Sequence, residues 1–103
     1  MDDMKRSKGD ALANDLFDAL VSIKTRNEMA RVMKDLCTPQ EIKALSERWQ
    51  VCQLLDAGDL SYRDISEKAG TSLATITRIA RFLKDEPHRG YQLLLKKKMN
   101  RKK

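Results

Sequence analysis

Ser61-Tyr-Arg-Asp-Ile-Ser-Glu-Lys-Ala-Gly-Thr-Ser-Leu-Ala-Thr-Ile-Thr-Arg-Ile-Ala80 divides into two short helical patterns on either side of Gly70. In the first, apolar Ile65 and Ala69 stand four residues apart among polar neighbours. In the second, Leu73, Ile76, Ile79 and Ala80 recur at helical spacing. Ser61 precedes Asp64 by three residues, and Ser72 precedes Thr75 by three, so each pattern opens on a residue able to cap it. Glycine at the junction accepts a left-handed backbone without steric cost. Two helices pinned by apolar positions, a tight turn, and a polar outer face on the second helix are the requirements of a helix-turn-helix. That outer face carries Ser72, Thr75 and Thr77 beside Arg78 and Arg81. The spacing predicts a DNA-reading unit over residues 61–86.

Upstream, the pattern predicts three helices. Residues 1–9 are polar and without period, and are expected to form a flexible arm. From Asp10 to about Arg26, Leu12, Leu16, Ala19, Leu20 and Ile23 make one apolar stripe, widened by Phe17. Thr25-Arg-Asn-Glu28 resembles a capping box, and Met29, Val32, Met33 and Leu36 form the apolar face of a short helix after it. The methionines suit core or subunit packing better than an adaptable binding groove. Thr38-Pro39-Gln40-Glu41 is the clearest helix start in the chain: a cap, a proline whose missing N–H costs nothing there, and an acid at the positive end of the dipole. The helix it opens is expected to reach about Ala57, before Gly58, a length of about 28 Å. Ile42, Leu45, Trp49, Cys52 and Leu55 form its apolar line, with Val51 and Leu54 flanking. Trp49 lies on that line and reads as core, not as a base-stacking platform.

Downstream, Pro87 ends the second motif helix at Asp85 or Glu86, and a last helix is expected over residues 88–95. A frayed basic tail follows at 96–103, with six basic residues in eight. The expected organisation is a single helical domain over residues 10–95, with no strand and no repeat. The first two stripes, in residues 10–26 and 29–36, exceed what 103 residues readily cover, which predicts a homodimer burying those stripes between chains.

Charge is unevenly placed. Residues 1–60 hold nine Lys/Arg against eleven Asp/Glu, net −2, whereas residues 61–103 hold twelve against four, net +8. The basic half contains the motif, as expected of a protein whose partner is double-stranded DNA. Lys68, Arg81, Lys84 and the tail suit phosphate contact, which positions a protein without reading sequence. No apolar run approaches the roughly 18 residues of a membrane span. Met1-Asp-Asp-Met-Lys-Arg-Ser-Lys8 lacks the apolar segment of a signal peptide, so a cytoplasmic location is expected. Cys37 and Cys52 have no zinc-ligand spacing and read as packing residues. His88 is the only histidine and has no nucleophile or acid arranged with it, so no enzyme, catalytic residue, metal site or cofactor is expected.

Three runs carry a family resemblance: Cys37-Thr-Pro-Gln-Glu-Ile-Lys-Ala-Leu-Ser-Glu-Arg48, Ser61-Tyr-Arg63, and Leu73-Ala-Thr-Ile-Thr-Arg78. They resemble the Trp repressor family and, within it, the Trp-repressor-like YerC/YecD branch, without a gap from about Leu36 to Pro87. The resemblance implies an all-α, six-helix fold with a helix-turn-helix, assembled as an intertwined homodimer with residues 10–57 as its interlocked core and residues 61–86 as its reading heads. It directs Leu73, Ala74, Thr75 and Thr77 toward the major groove and puts Arg63 at a base edge or phosphate. Small and hydroxyl-bearing residues there agree with the groove chemistry. As in helix-turn-helix dimers generally, of which Trp repressor is one, two heads would lie roughly 34–36 Å apart.

In the family's founding member, two arginines sandwich a tryptophan indole and a threonine holds the ligand's polar end. Arg48, Arg78, Thr38 and Thr75 match those positions. Ile79 and Phe82 depart, standing where that member has glycine and serine. Overfilling such a site costs about 1–3 kcal/mol, so the expectation is that Ile79 and Phe82 fill the cavity and tryptophan is not required. Arg48 is then expected to pair with Glu47, Asp85 or Glu86. The resulting expectation is a sequence-specific transcriptional regulator, a repressor by resemblance. The alternatives are a helix-turn-helix protein-interaction module and an amino-acid-gated repressor.

Overall fold

Six α-helices account for most of the chain in the computed structural model, which describes residues 8–85 and 87–101. They are α1 (Lys8–Val21), α2 (Arg26–Leu36), α3 (Pro39–Ala57), α4 (Tyr62–Ala69), α5 (Leu73–Lys84) and α6 (Gly90–Arg101). No strand occurs among the described residues. Residues 1–7 of the expected arm, Glu86 at the expected end of the motif, and Lys102 and Lys103 of the tail lie outside them. The chain divides into two compact units after Pro39. Neither helix of the first unit has a buried residue.

In the first unit, α1 begins at Lys8, inside the expected arm, and ends at Val21, short of the expected Arg26. The apolar stripe continues to Ile23, but the backbone does not. Ser22 N–H and Ile23 N–H turn back to the carbonyls of Ala19 and Leu20, at 3.2 and 3.1 Å, and the Ser22 hydroxyl donates to Ala19 O at 2.6 Å. Such three-residue bonds tighten and close a helix end. α2 then opens on the capping box: Thr25 Oγ1 accepts from Glu28 N–H at 3.1 Å. The returning Glu28 carboxylate takes the N–H of Lys24 at 3.0 Å, one residue before the cap. Large apolar side chains stay uncovered here, with Leu12 72% and Phe17 56% exposed.

The second unit holds the core. Val51 and Cys52 of α3, Ile65 and Ala69 of α4, and Ile76, Ile79 and Leu83 of α5 form one buried cluster. Trp49, Leu54, Leu55, Leu60, Tyr91 and Leu95 pack against it. Trp49 is therefore partly buried at the core edge. Val51, expected on the flank of the α3 line, is fully buried, whereas Leu45, expected on the line, is exposed. Val51 and Cys52 adjoin the motif helices; Leu45 lies a turn and a half earlier. Burial, with Asp56 adding to it, pushes the Cys52 thiol up to about 11, so Cys52 packs as a neutral side chain.

The motif closes by local chemistry. Ser61 Oγ accepts from Asp64 N–H at 3.1 Å and opens α4. Gly70 ends it with φ 67° and ψ 32°, its N–H bonded to Ser66 O. The Ser66 hydroxyl donates to Thr71 O at 2.6 Å across the turn. Ser72 Oγ accepts from Thr75 N–H at 3.1 Å and opens α5. Leu73 corrects one expectation: it is 51% exposed and pins nothing.

α6 differs most from its expected bounds of 88–95. It starts at Gly90 and continues through the expected frayed segment to Arg101. Like charges at Lys96, Lys97 and Lys98 oppose it, but tertiary contacts hold it. Leu95 packs on the core, and Lys98 Nζ donates to Gln53 Oε1 of α3. At the other end, Gln92 Nε2 donates to Leu83 O at 2.7 Å and takes an Arg89 N–H on its oxygen at 2.8 Å. Those bonds surround Arg89, which has φ 57°, and His88 is exposed in the turn before it.

A Cβ added at Gly70 meets no atom within 4 Å. The cost of Gly70→Ala is then the left-handed backbone alone, about 1–2 kcal/mol. Urea unfolding of the variant is expected to show an unfolding free energy lower by that amount, read as a lower midpoint with an unchanged slope.

Candidate nucleic-acid interface

At about 100° per residue, α5 carries three distinct faces. Ile76, Ile79, Ala80 and Leu83 turn into the core. Leu73, Ala74, Thr77, Arg78, Arg81 and Lys84 turn outward and are all exposed. Between the two, Thr75 and Phe82 lie half-buried on a flank. The outward face therefore combines apolar atoms and one hydroxyl at the helix start with three cations farther along. Arg63 and Lys68 are exposed on α4, and Ser72 is exposed at the α5 cap. Of the ten positions expected to meet DNA, Thr75 alone is half-buried: its N–H goes to Ser72 Oγ, and its side chain lines a cleft. Arg81 and Lys84 fall in the last turn of α5, where positive charge also suits the helix dipole.

The flank opens on a cleft of about 660 Å³ bordered by α3, α5 and the start of α6. Arg48, Thr75, Arg78, Ile79 and Phe82 line it together, as expected from the ligand-site positions. Thr38 belongs to the first unit and is not part of the lining. The expectation that Ile79 and Phe82 fill this space is corrected: the cleft stays open. Ile79 lines the cleft but is only 2% exposed, because it also packs into the core. Phe82 turns toward its own helix, where Arg78 Cζ sits over the ring at 4.5 Å from the centroid and Arg81 Cζ at 5.8 Å. Two guanidinium groups thus share one ring, each contact worth about 0.5–1 kcal/mol at an exposed site. Glu47, an expected partner of Arg48, pairs with Lys43 at 3.4 Å.

The cleft wall also holds Tyr91. Burial raises its phenol above the ordinary 10.0, and Cys52 adds to the rise, while Arg48 and Arg78 oppose it. Both arginines therefore act electrostatically on one wall. Sequence reasoning missed Tyr91, together with His88, Arg89 and Leu94 at the same rim. Nothing local marks them, since they reach the cleft through the turn that brings α6 back along α5.

A chain whose described residues form six helices, and whose α4–α5 pair forms a helix-turn-helix with a cationic outer face, belongs to the class of helix-turn-helix regulators. The sequence model of the Trp repressor family, described as Trp repressor protein, matches residues 12–99, and the chain belongs to that family. The match is wider than the stretch that carried the resemblance. The chain is 40% identical over 68 residues to the uncharacterised protein YerC of Bacillus subtilis (strain 168), covering 66% of this chain and 64% of YerC. It is 42% identical over 59 residues to a Trp operon repressor homolog of Aliivibrio salmonicida (strain LFI1238), covering 57% of this chain and 55% of that protein. Each match thus spans less than two thirds of the relative's length. Among solved structures, a TrpR-like protein from Eubacterium eligens ATCC 27750 superposes with a TM-score of 0.78 at 36% identity, over 84% of this chain and 88% of that one. The family is one of transcriptional repressors, which are not enzymes. No described helix is long and apolar enough to cross a membrane.

Stacking over Phe82 places Arg78 side-chain protons in the shielding region of the ring. NMR of the protein is expected to show them shifted upfield, with Phe82→Leu returning them to ordinary positions.

Proposed function

We propose that the chain is a sequence-specific DNA-binding repressor, acting as a homodimer whose α5 helices enter successive major grooves and not requiring tryptophan. The outward face of α5 carries this reading: Leu73, Ala74 and Thr77 at the end that approaches base edges, and Arg78, Arg81 and Lys84 toward phosphates. Arg63, Lys68 and Ser72 extend the contact. The excess of positive charge in residues 61–103 and membership of the Trp repressor family support the same partner. Dimer formation is supported by the uncovered apolar side chains of α1 and α2, notably Leu12, Phe17, Val21 and Leu36. A second copy is the occupant that a two-headed reader needs.

Independence from tryptophan is supported by Phe82. It already supplies an aromatic ring from within the chain to Arg78, one of the two arginines that the family resemblance assigns to ligand stacking. One observation favours a second reading, an amino-acid-gated repressor. The cleft beside Arg48, Thr75 and Arg78 keeps about 660 Å³ of space.

Fluorescence anisotropy with a duplex enriched from random DNA separates these readings. The proposal expects log K to fall with log salt at a slope of several, roughly 0.9 for each phosphate neutralised. Removing residues 96–103 is expected to weaken binding and flatten that slope. Adding L-tryptophan is expected to leave affinity unchanged, whereas a severalfold gain selects the gated reading. Absent or salt-insensitive binding points to a protein-interaction module instead.

A further inference from the structure

The Thr77 hydroxyl donates to the Leu73 carbonyl at 2.9 Å. A carbonyl oxygen carries no proton, so the direction of this bond is not open to choice. The Thr77 proton is therefore committed to the helix. What Thr77 Oγ1 offers outward is lone-pair capacity alone, from an exposed position. Its neighbours on the same face, Leu73 and Ala74, are exposed and apolar. Ser72 Oγ, the other hydroxyl at this end, accepts from Thr75 N–H and bonds to Thr75 Oγ1 at 3.0 Å, so it is spent on the cap. Over its first two turns the outer face thus carries one acceptor set among apolar atoms, with no neutral side-chain donor.

Base pairs differ in how they meet such a surface. In the major groove adenine shows an N6 donor, and its partner thymine shows a methyl group. Guanine shows two acceptors, while cytosine shows an N4 donor with no methyl beside it. A free threonine can serve either donor or acceptor; one that has given its proton to its own helix cannot. We propose that Thr77 is a specificity-determining residue that reads as an acceptor only. It takes a hydrogen bond from adenine N6 while Leu73 and Ala74 pack on the thymine methyl, so the position facing it selects an A·T pair over G·C. This rests on the DNA-binding reading and adds to it the chemistry of one base position.

The test uses the full chain and Thr77→Val, which keeps the branched shape and removes the acceptor. Selection from random duplex DNA by the unaltered protein is expected to enrich an A·T pair at one position of each half-site. In that duplex, purine in place of adenine lacks the N6 amino group. It is expected to weaken binding roughly threefold to tenfold, the range of one net hydrogen bond. Thr77→Val, its fold checked by thermal melting, is expected to lose adenine-over-purine discrimination. Uracil in place of the paired thymine is expected to weaken both proteins. A G·C preference at the enriched positions, full affinity for the purine duplex, or a Thr77→Val protein that still distinguishes adenine from purine overturns the proposal. The purine arm needs no variant, so a misfolded Thr77→Val leaves the test intact. If no sequence is enriched, the DNA-binding reading falls and this inference with it. An enriched site that ignores the amino group removes this inference alone.

Discussion

Burial of Ile65, Ile76 and Ile79 against Val51 and Cys52 is the contact on which the second unit depends. Each of these isoleucines contributes roughly 1.5–3 kcal/mol when fully buried, and together they join α3, α4 and α5. Helices of 8 and 12 residues are too short to persist alone in water. Packing supplies what their length does not. The same contact fixes the rotation of α5 about its axis. Once Ile76 and Ile79 face inward, helical geometry turns Ala74, Thr77, Arg78 and Arg81 outward and leaves Thr75 and Phe82 on the flank.

From that rotation the electrostatic layout follows. Arg78 and Arg81 are neighbours on the cationic face and would repel in the open. Phe82 gives both a ring whose face carries negative charge density, at 4.5 and 5.8 Å. The ring holds the guanidinium groups near the helix and limits the side-chain entropy they lose on meeting a phosphate. The proposed DNA face and the cleft are therefore two sides of one helix, joined at Arg78.

Much of the fold was legible because its signals are local. Ser61, Thr25 and Ser72 cap as their spacing foretold, and Gly70 adopts the left-handed turn that two abutting helical patterns demand. What was not legible depended on partners distant in sequence or on competing local bonds. The stripe through Ile23 predicted more helix than α1 has, because the Ser22 hydroxyl competes for the Ala19 carbonyl. The lysine run predicted fraying, yet Gln53, 45 residues away, receives Lys98. Leu73 had core spacing, but at the first position of α5 it falls outside the cluster. Ile79 and Phe82 were expected to fill the cleft by volume. Volume does not say where a side chain packs: Ile79 lines the cleft while packing into the core, and Phe82 lines it beneath Arg78 of its own helix. Most of the positions singled out for binding are exposed on α4 and α5, while Tyr91 and the rim of α6 had no signature at all.

The central claim is that the reading head is set by its own packing and not by a small ligand. Hydrogen exchange of backbone amides in α4 and α5, with and without L-tryptophan, tests it most directly. The account predicts that the amides of Ile76, Ile79 and Ala80 exchange only through global unfolding in the ligand-free protein, at rates that tryptophan leaves unchanged. Fast exchange throughout α4 and α5 that slows when tryptophan is added would contradict it.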